Sequence, residues 1–268
     1  MANKQIIGIV LVRNEDIFLE RAIRNISEFC DKIIITDHES EDKTPEIARN
    51  LAKNDSRISY KRIAHPKESH EVIEQFAGTD TWIFAVDGDE IYDPEGLMRF
   101  RKTLTAGSYD NAWCIKGNVL NCTSIDYTGK TARGYLSPPT RSMTKLFNFS
   151  IINRWTDCPQ RIHAGNLEFK KHIAEPLTLE LFKTVPWENA DFRCLHTAFM
   201  QRSSLEKRTL TNSRPNPSET LSAAKARNNK AYIRFIRKYL KSFVRLDWKN
   251  KKYKDGPLVE KDISVFLL

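Results

Sequence analysis

Nowhere in the 268 residues does an apolar run approach the roughly 20 residues that a membrane-spanning helix needs. The longest run near the start, Ile6 through Val12, stops at Arg13, Asn14, Glu15 and Asp16. It has neither the flanks nor the small-residue cleavage site of a secretory leader, so the expected compartment is the cytosol. No C-x-x-C occurs. Five cysteines (Cys30, Cys114, Cys122, Cys158 and Cys194) are odd in number and far apart. That argues against a disulfide framework or a zinc cluster and for reduced, buried thiols. Also missing are G-x-G-x-x-G and G-x-x-x-x-G-K-[ST] loops, so neither a dinucleotide fingerprint nor a P-loop supplies a phosphate site. Internal repeats and low-complexity segments are absent as well.

What is present is enough for a core. Apolar residues make up 40 %, with 14 Phe, 8 Tyr and 5 Trp, which excludes wholesale disorder. The length suits one or two domains at about 150 residues each. The net charge of +9 is local. Between Lys230 and Lys254 ten Lys and Arg face only Asp247, and the rest of the chain is neutral. A uniformly basic nucleic-acid-binding surface is therefore a poor description, and no nucleic-acid partner is expected.

The first hundred residues read as repeated β-α units. Residues 5–12 are continuously apolar, as a strand covered on both faces would be. Residues 32–36, 57–63 and 81–86 follow at about 25-residue spacing, the length of a strand plus a crossover helix. Leu19, Ala22, Ile23 and Ile26 fall at helical spacing. Thr44-Pro45 and Asp93-Pro94 each read as an N-cap followed by proline in the first turn. Alternating β and α with buried strands implies a Rossmann-like, doubly wound, mostly parallel sheet.

Ligands of such sheets bind outside the carboxyl ends of the strands. Three acidic clusters belong there: Glu15 and Asp16 after the first strand, Asp37, Glu39, Glu41 and Asp42 after the second, and Asp87, Asp89 and Glu90 after the fourth. Left uncompensated, these carboxylates would repel one another. A divalent cation would relieve that, and an all-oxygen set suits Mg²⁺ or Mn²⁺.

Taken together, Val12-Arg13-Asn14-Glu15, then Asp37, Ser40, Asp42 and Thr44, then Asp87-Gly88-Asp89-Glu90 resemble the family 2 glycosyltransferases of GT-A fold. They match in order and spacing that family's R/K-N-E, D-x-x-S-x-D-x-T and D-x-D-E motifs. The clear resemblance covers about residues 5–105. A fainter one runs through Lys145-Leu146-Phe147, Trp155 to His163, and Cys194-Leu195-His196 with Lys207. It is closest to the branch holding lipopolysaccharide core glucosyltransferases and bacteriocin S-glycosyltransferases.

The resemblance implies a GT-A domain over 1–217, with a nucleotide-sugar half (1–105) and an acceptor half (106–217). A basic, amphipathic helical tail would occupy 218–268. It also implies roles. Asp37 would read the base, Val12 and Arg13 would line that pocket, and Glu15 would sit near the ribose. Ser40 and Gly88 would belong to the donor site, Asp87 would meet ribose or metal, and Asp89 would be the main Mn²⁺ or Mg²⁺ ligand. His196 would be a further metal or diphosphate contact, and Arg161 and His163 would lie near sugar or acceptor. Where that branch often has His-Glu, this chain has His163-Ala164. The general base of an inverting transfer is then open between Asp157, Glu168 and Asp191, with Asp157 favoured.

The implied activity is sugar transfer from a nucleotide-diphosphate donor, UDP first, to a glycan or lipid-linked acceptor in cell-surface polysaccharide synthesis. Two other classes stay open. A nucleotidyltransferase on a similar sheet lacks its Gly-rich loop here. A basic membrane- or nucleic-acid-binding module lacks charge over the main domain. Several readings are purely structural. Asp37 and Ser40 would serve as helix caps, Asn14-Glu15 as a cap pair, and Trp113 and Trp155 as core. His38, His65, His70 and His172 read as solvated surface. Residues 124–144, with Gly129, Gly134, Pro138 and Pro139, read as a long loop ordering over substrate. In the tail, Tyr232, Phe235, Ile236, Tyr239, Leu240 and Phe243 line one helix face. That helix either docks on the domain or holds residues 230–254 against an anionic membrane at its inner face.

Overall fold

The computed structural model describes residues 4–142, 145–173, 175–206 and 252–267. The main sheet takes its strands from β1 (Gln5–Val12), β2 (Lys32–His38), β3 (Ile58–Ile63) and β4 (Thr81–Asp87). These four run parallel in the order β3-β2-β1-β4. The helices between them are α1 (Leu19–Ile26), α2 (Thr44–Asn54) and α3 (Glu68–Glu74). A short β5 (Glu90–Tyr92) and α4 (Pro94–Thr105) follow. Asp93 caps α4 by accepting the Gly96 N–H at 2.9 Å. The corresponding expectation fails at α2. Thr44 is its first helical residue, and its Oγ1 instead accepts the Glu15 N–H at 2.8 Å.

The sheet is doubly wound because β1 is apolar on both faces. Ile6, Val10 and Val12 pack with Leu19, Ile23, Ala48, Leu97 and Phe100 from α1, α2 and α4. Ile7 and Ile9 point the other way, to Ile73 of α3 and to Phe149 and Trp155. Alternation with period two thus sends one strand's residues into two cores.

Strands continue through β6 (Ala112–Lys116), β7 (Asn118–Asp126), β8 (Thr131–Leu136), β9 (Lys145–Asn148), β10 (Ile152–Thr156), β11 (Asn166–Phe169) and β12 (Leu177–Glu180). The short helix α5 (Leu181–Thr184), then β13 (Arg193–His196) and β14 (Leu258–Asp262), complete the order. β9 joins the main sheet antiparallel to β4, followed by β6 and β12, so strands from both sides of residue 105 share this sheet. β10 and β11 form a two-stranded ribbon.

A second sheet has the order β14-β8-β7-β13-β5. It corrects two expectations. Residues 124–136 are not part of a long loop: β7 and β8 form a hairpin, with Asp126 Oδ1 accepting the N–H groups of Thr128 and Gly129, both at 2.9 Å, at its turn. Nor is the stretch to 268 a tail throughout. β14 pairs antiparallel with β8, and Ile263 and Phe266, both fully buried, fill the core between this sheet and α1. The helical pattern expected between Tyr232 and Phe243, Lys207, and most of the basic window lie outside the described residues. All five cysteines are buried and free, as expected. His38 and His70, expected at the surface, are buried, whereas His65 and His172 are exposed. Among the described residues no helix is long and apolar enough to cross a membrane.

Candidate functional site

Register places the acidic clusters side by side. Val12 lies opposite Asp37, Leu11 opposite Asp87, and Asp37 opposite Arg62, so the ends of β1, β2, β3 and β4 meet at one edge. The loops leaving β1 and β2 are stapled together. Ser40 Oγ accepts the Asn14 N–H at 2.9 Å, and Asn14 Oδ1 accepts the Glu41 N–H at 2.8 Å. Asn14 and Glu39 adopt left-handed backbone, φ 53° and 55°, within this staple. Asp37 is the hub beneath it and is fully buried. Its Oδ1 accepts the Ser40 N–H at 2.9 Å, and its Oδ2 accepts the Tyr60 hydroxyl at 2.8 Å with Arg62 Nη1 at 3.5 Å.

Asp87, Gly88, Asp89 and Glu90 form the turn between β4 and β5. A Cβ at Gly88 would lie 2.8 Å from Val12 Cγ1 and closer still to Glu15 Oε2, so any larger residue must displace these side chains where the turn passes over the end of β1. Asp87 is paired with Arg161, whose guanidinium also donates to the carbonyls of Val86 and, at 3.2 Å, Ile9. Asp89, 1 % exposed, is paired with Arg202. Arg202 also approaches Glu15 Oε1 at 3.5 Å. His196 Nε2 stands 3.8 Å from Asp89 Oδ2, while its Nδ1 hydrogen-bonds Asn121 Oδ1 at 2.8 Å. β13 delivers His196 there by pairing opposite Glu90 on β5.

Burial dominates the electrostatics. It holds the Glu15 carboxyl well above the usual carboxylate range, with Asp89 adding to the effect and Arg202 opposing it. Glu90 is pushed up to about 8 by burial and then by Asp87. Its Oε2 accepts the Tyr92 hydroxyl at 3.0 Å and the Asp87 N–H at 3.2 Å.

Two parts of this edge are invisible as motifs. Arg202 lies six residues beyond His196 in a stretch without secondary structure. The compensation expected from a metal is supplied in this structure by Arg161 and Arg202. Lys252 and Tyr253 return to the edge from across the undescribed residues. Tyr253 is buried, its ring 5.2 Å edge-on to His196, and its phenol is pushed up by burial and by Asp87, Asp89 and Glu90. Lys252 is half-buried and its ammonium is pushed down by burial and by Lys145, against the pull of Asp87. The end of the basic window thus faces the acidic edge. The one signal in the sequence is charge: three converging acidic clusters call for cations from the other half.

The remaining candidates separate. Arg161, Asp157 and His163 share the 157–165 loop between β10 and β11. Asp157 is exposed, and its Oδ2 accepts from Asn166 Nδ2 at 2.7 Å. His163 is exposed too. Glu168 pairs with Arg154 at 3.2 Å and Asp191 with Arg99 at 2.8 Å. Among the described residues no three acidic, His or Cys side chains are grouped to hold a metal. Asp89 and His196 do form a buried carboxylate–imidazole pair. That donor set fits Mn²⁺ or Mg²⁺ when phosphate oxygens and waters complete the shell.

The model of the family described as "Glycosyl transferase family 2" matches residues 9–209. The chain belongs to glycosyl transferase family 2. The doubly wound α/β sheet is accordingly a Rossmann-like GT-A fold. An uncharacterized glycosyltransferase of Rickettsia bellii (strain RML369-C) is 31 % identical over 93 residues, which are 34 % of this chain and 29 % of that protein. The match therefore spans under a third of the relative's length. Among solved structures, S. aureus TarS 1–349 in complex with UDP aligns at 15 % identity and TM-score 0.38, covering 55 % of this chain and 47 % of that one. Glucosyl-3-phosphoglycerate synthase from Mycobacterium tuberculosis, in complex with Mn²⁺ and UDP-glucose, aligns at 21 % identity and TM-score 0.32, covering 43 % of each chain.

Proposed function

We propose that this member of family 2 is a metal-dependent glycosyltransferase that moves a sugar from a nucleotide-diphosphate donor, with a UDP-sugar favoured, to a hydroxyl of a glycan or lipid-linked acceptor. The observation that carries the reading is the edge where Asp87–Arg161 and Asp89–His196–Arg202 meet over the glycine turn. A buried carboxylate (Asp89) with a half-buried one (Asp87) and two half-buried guanidiniums, held at the carboxyl ends of parallel strands, suit a diphosphate and its cation.

Asp89 and His196 would hold Mn²⁺ or Mg²⁺, which when bound would offset charge developing on the leaving diphosphate. Arg161 and Arg202 add fixed positive charge at the same edge. The staple of Asn14, Ser40 and Asp37 shapes the pocket for base and ribose, with Val12, Arg13 and Glu15 along its floor. Asp37 reads the base from there while also holding Tyr60 and Arg62, since each carboxylate oxygen can accept more than one hydrogen bond. Asp157 is the favoured base of an inverting hexosyl transfer, with His163 near the acceptor. An Asp157 base predicts that Asp157→Asn lowers kcat on the order of a hundredfold at saturating donor. The resemblance to lipopolysaccharide core and bacteriocin enzymes points the acceptor search to cell-surface polysaccharide. The basic window 230–254 either docks on the domain or makes a peripheral contact with an anionic membrane, and flotation with vesicles would detect the second.

The deciding measurement is isothermal titration of UDP, GDP, ADP and dTDP with and without Mn²⁺, repeated on Asp89→Ala. Metal-dependent binding of one nucleotide, lost in the variant, is the expected outcome. A folded protein that binds none of the four overturns the reading.

A further inference from the structure

The 157–165 loop adopts an unusual backbone. Asp157 (φ 57°), Ile162 (φ 40°), Ala164 (φ 57°) and Gly165 (φ 80°) all lie in the left-handed region. Three of the four are not glycine, and Ile162 is β-branched, for which this region costs most. Such backbone persists only where its surroundings over-determine it.

Two neighbouring residues of α3 do so. Ser69 Oγ accepts the Arg161 N–H at 2.8 Å. His70 Nδ1 accepts the Ile162 N–H at 3.1 Å. Because Nδ1 accepts, the proton of the neutral ring is on Nε2, which donates to the Trp155 carbonyl at 2.7 Å. One buried imidazole, 1 % exposed, therefore spans the loop from residue 155 to residue 162. Its ring lies edge-on to Trp155 at 5.4 Å. The Trp155 indole donates in turn to the Ala164 carbonyl at 2.8 Å. On the far side of these anchors, the Arg161 side chain reaches Asp87 and the carbonyls of Ile9 and Val86.

We propose that Ser69 and His70 are positioning residues for the donor site, holding the 157–165 loop in the strained form that seats the Arg161 guanidinium on Asp87. The proposal rests on the reading of Asp87 and Arg161 given above. Neither residue touches the acidic edge, and both act through the backbone of Arg161 and Ile162. A hydrogen bond lost from a buried amide is enough to release such a loop.

The test uses the full chain and three variants: His70→Phe, which keeps an aromatic ring, though a larger one, and removes both bonds, His70→Gln, which restores an acceptor and a donor, and Ser69→Ala. Hydrogen exchange of the Arg161 and Ile162 amides is read by NMR, and UDP with Mn²⁺ is titrated in parallel. In His70→Phe the Ile162 amide should exchange at least tenfold faster and the nucleotide bind about tenfold more weakly. His70→Gln should recover part of both. In an Arg161→Ala background His70→Phe should no longer affect affinity, an outcome that a merely structural role would not produce.

A folded His70→Phe with unchanged exchange and affinity overturns the proposal, as does an undiminished effect without Arg161. If His70→Phe does not fold, Ser69→Ala carries the same comparison, since it removes the Arg161 N–H acceptor and, besides that, only the hydroxyl's own bond to the Pro66 carbonyl at 2.6 Å. If the unmodified protein binds no nucleotide, the reading of the site has failed. The amide exchange then still decides whether these residues hold the loop.

Discussion

At residue 88 the turn between β4 and β5 passes so close to Val12 and Glu15 that even one methyl group must push one of them aside. Gly88→Ala is expected to cost about 1–3 kcal/mol, the usual price of overpacking, and to weaken nucleotide binding. Urea unfolding and titration check both. Two residues on, Glu90 links the same turn to pH. Its folded value is about 8 against 4.5 for the free side chain, so between those limits the unfolded chain gives up a proton that the folded one keeps. The contribution to stability is full below 4.5 and is lost as pH rises toward 8. The urea midpoint should fall over that range, and Glu90→Gln should reduce the slope. Glu15, raised in the same sense, leaves the remainder. At this scale the acidic residues of the site were legible, because they follow apolar strands. Of their partners, Arg161 and His196 were reached only through the family resemblance. Arg202 and Lys252 reach the edge by tertiary paths that no local spacing encodes, and a buried Asp37 reads the same in sequence as an exposed one.

Among the elements, the parallel strands β1, β2 and β4 were plain because burial on both faces writes a continuous apolar run. The β7–β8 hairpin was missed for the opposite reason. One side of it is wet, its alternation is diluted by Thr123, Ser124 and Arg133, and its glycines read as loop punctuation. β14 was hidden by the charge of the residues before it. The last described turn shows how firmly that segment is held. The Phe266 ring stacks on Trp187 at 5.8 Å, with the Arg193 guanidinium 5.5 Å from its centroid. The Phe266 carbonyl accepts from Asn25 Nδ2 at 2.9 Å. Phe266→Ala should cost about 3–5 kcal/mol, the range for a fully buried Phe, seen as a lowered Tm. Nucleotide affinity should survive at temperatures where the variant is folded, since the ring lies outside the acidic edge.

Across the whole molecule, the two sheets are built by different rules. In the parallel block of the main sheet β1–β2 and β2–β3 pair segments consecutive in sequence, and β1–β4 crosses over. The second sheet gathers residues 90–92, 118–136, 193–196 and 258–262, and its β5 and β13 carry Glu90 and His196 into the site. The segment 252–267 is therefore joined to the domain by a strand ladder, an aromatic stack and buried hydrogen bonds. Two co-expressed chains, residues 1–206 and 252–268, should associate into one particle that binds nucleotide, with the short chain behaving as a bound ligand. Urea gradual enough to release that short chain should abolish binding before the main sheet melts, and a synthetic peptide of residues 252–267 should restore it. Tyr253 and Lys252, which lie against His196 and the acidic edge, would then be a part of that edge separable by dilution and recoverable by mass action.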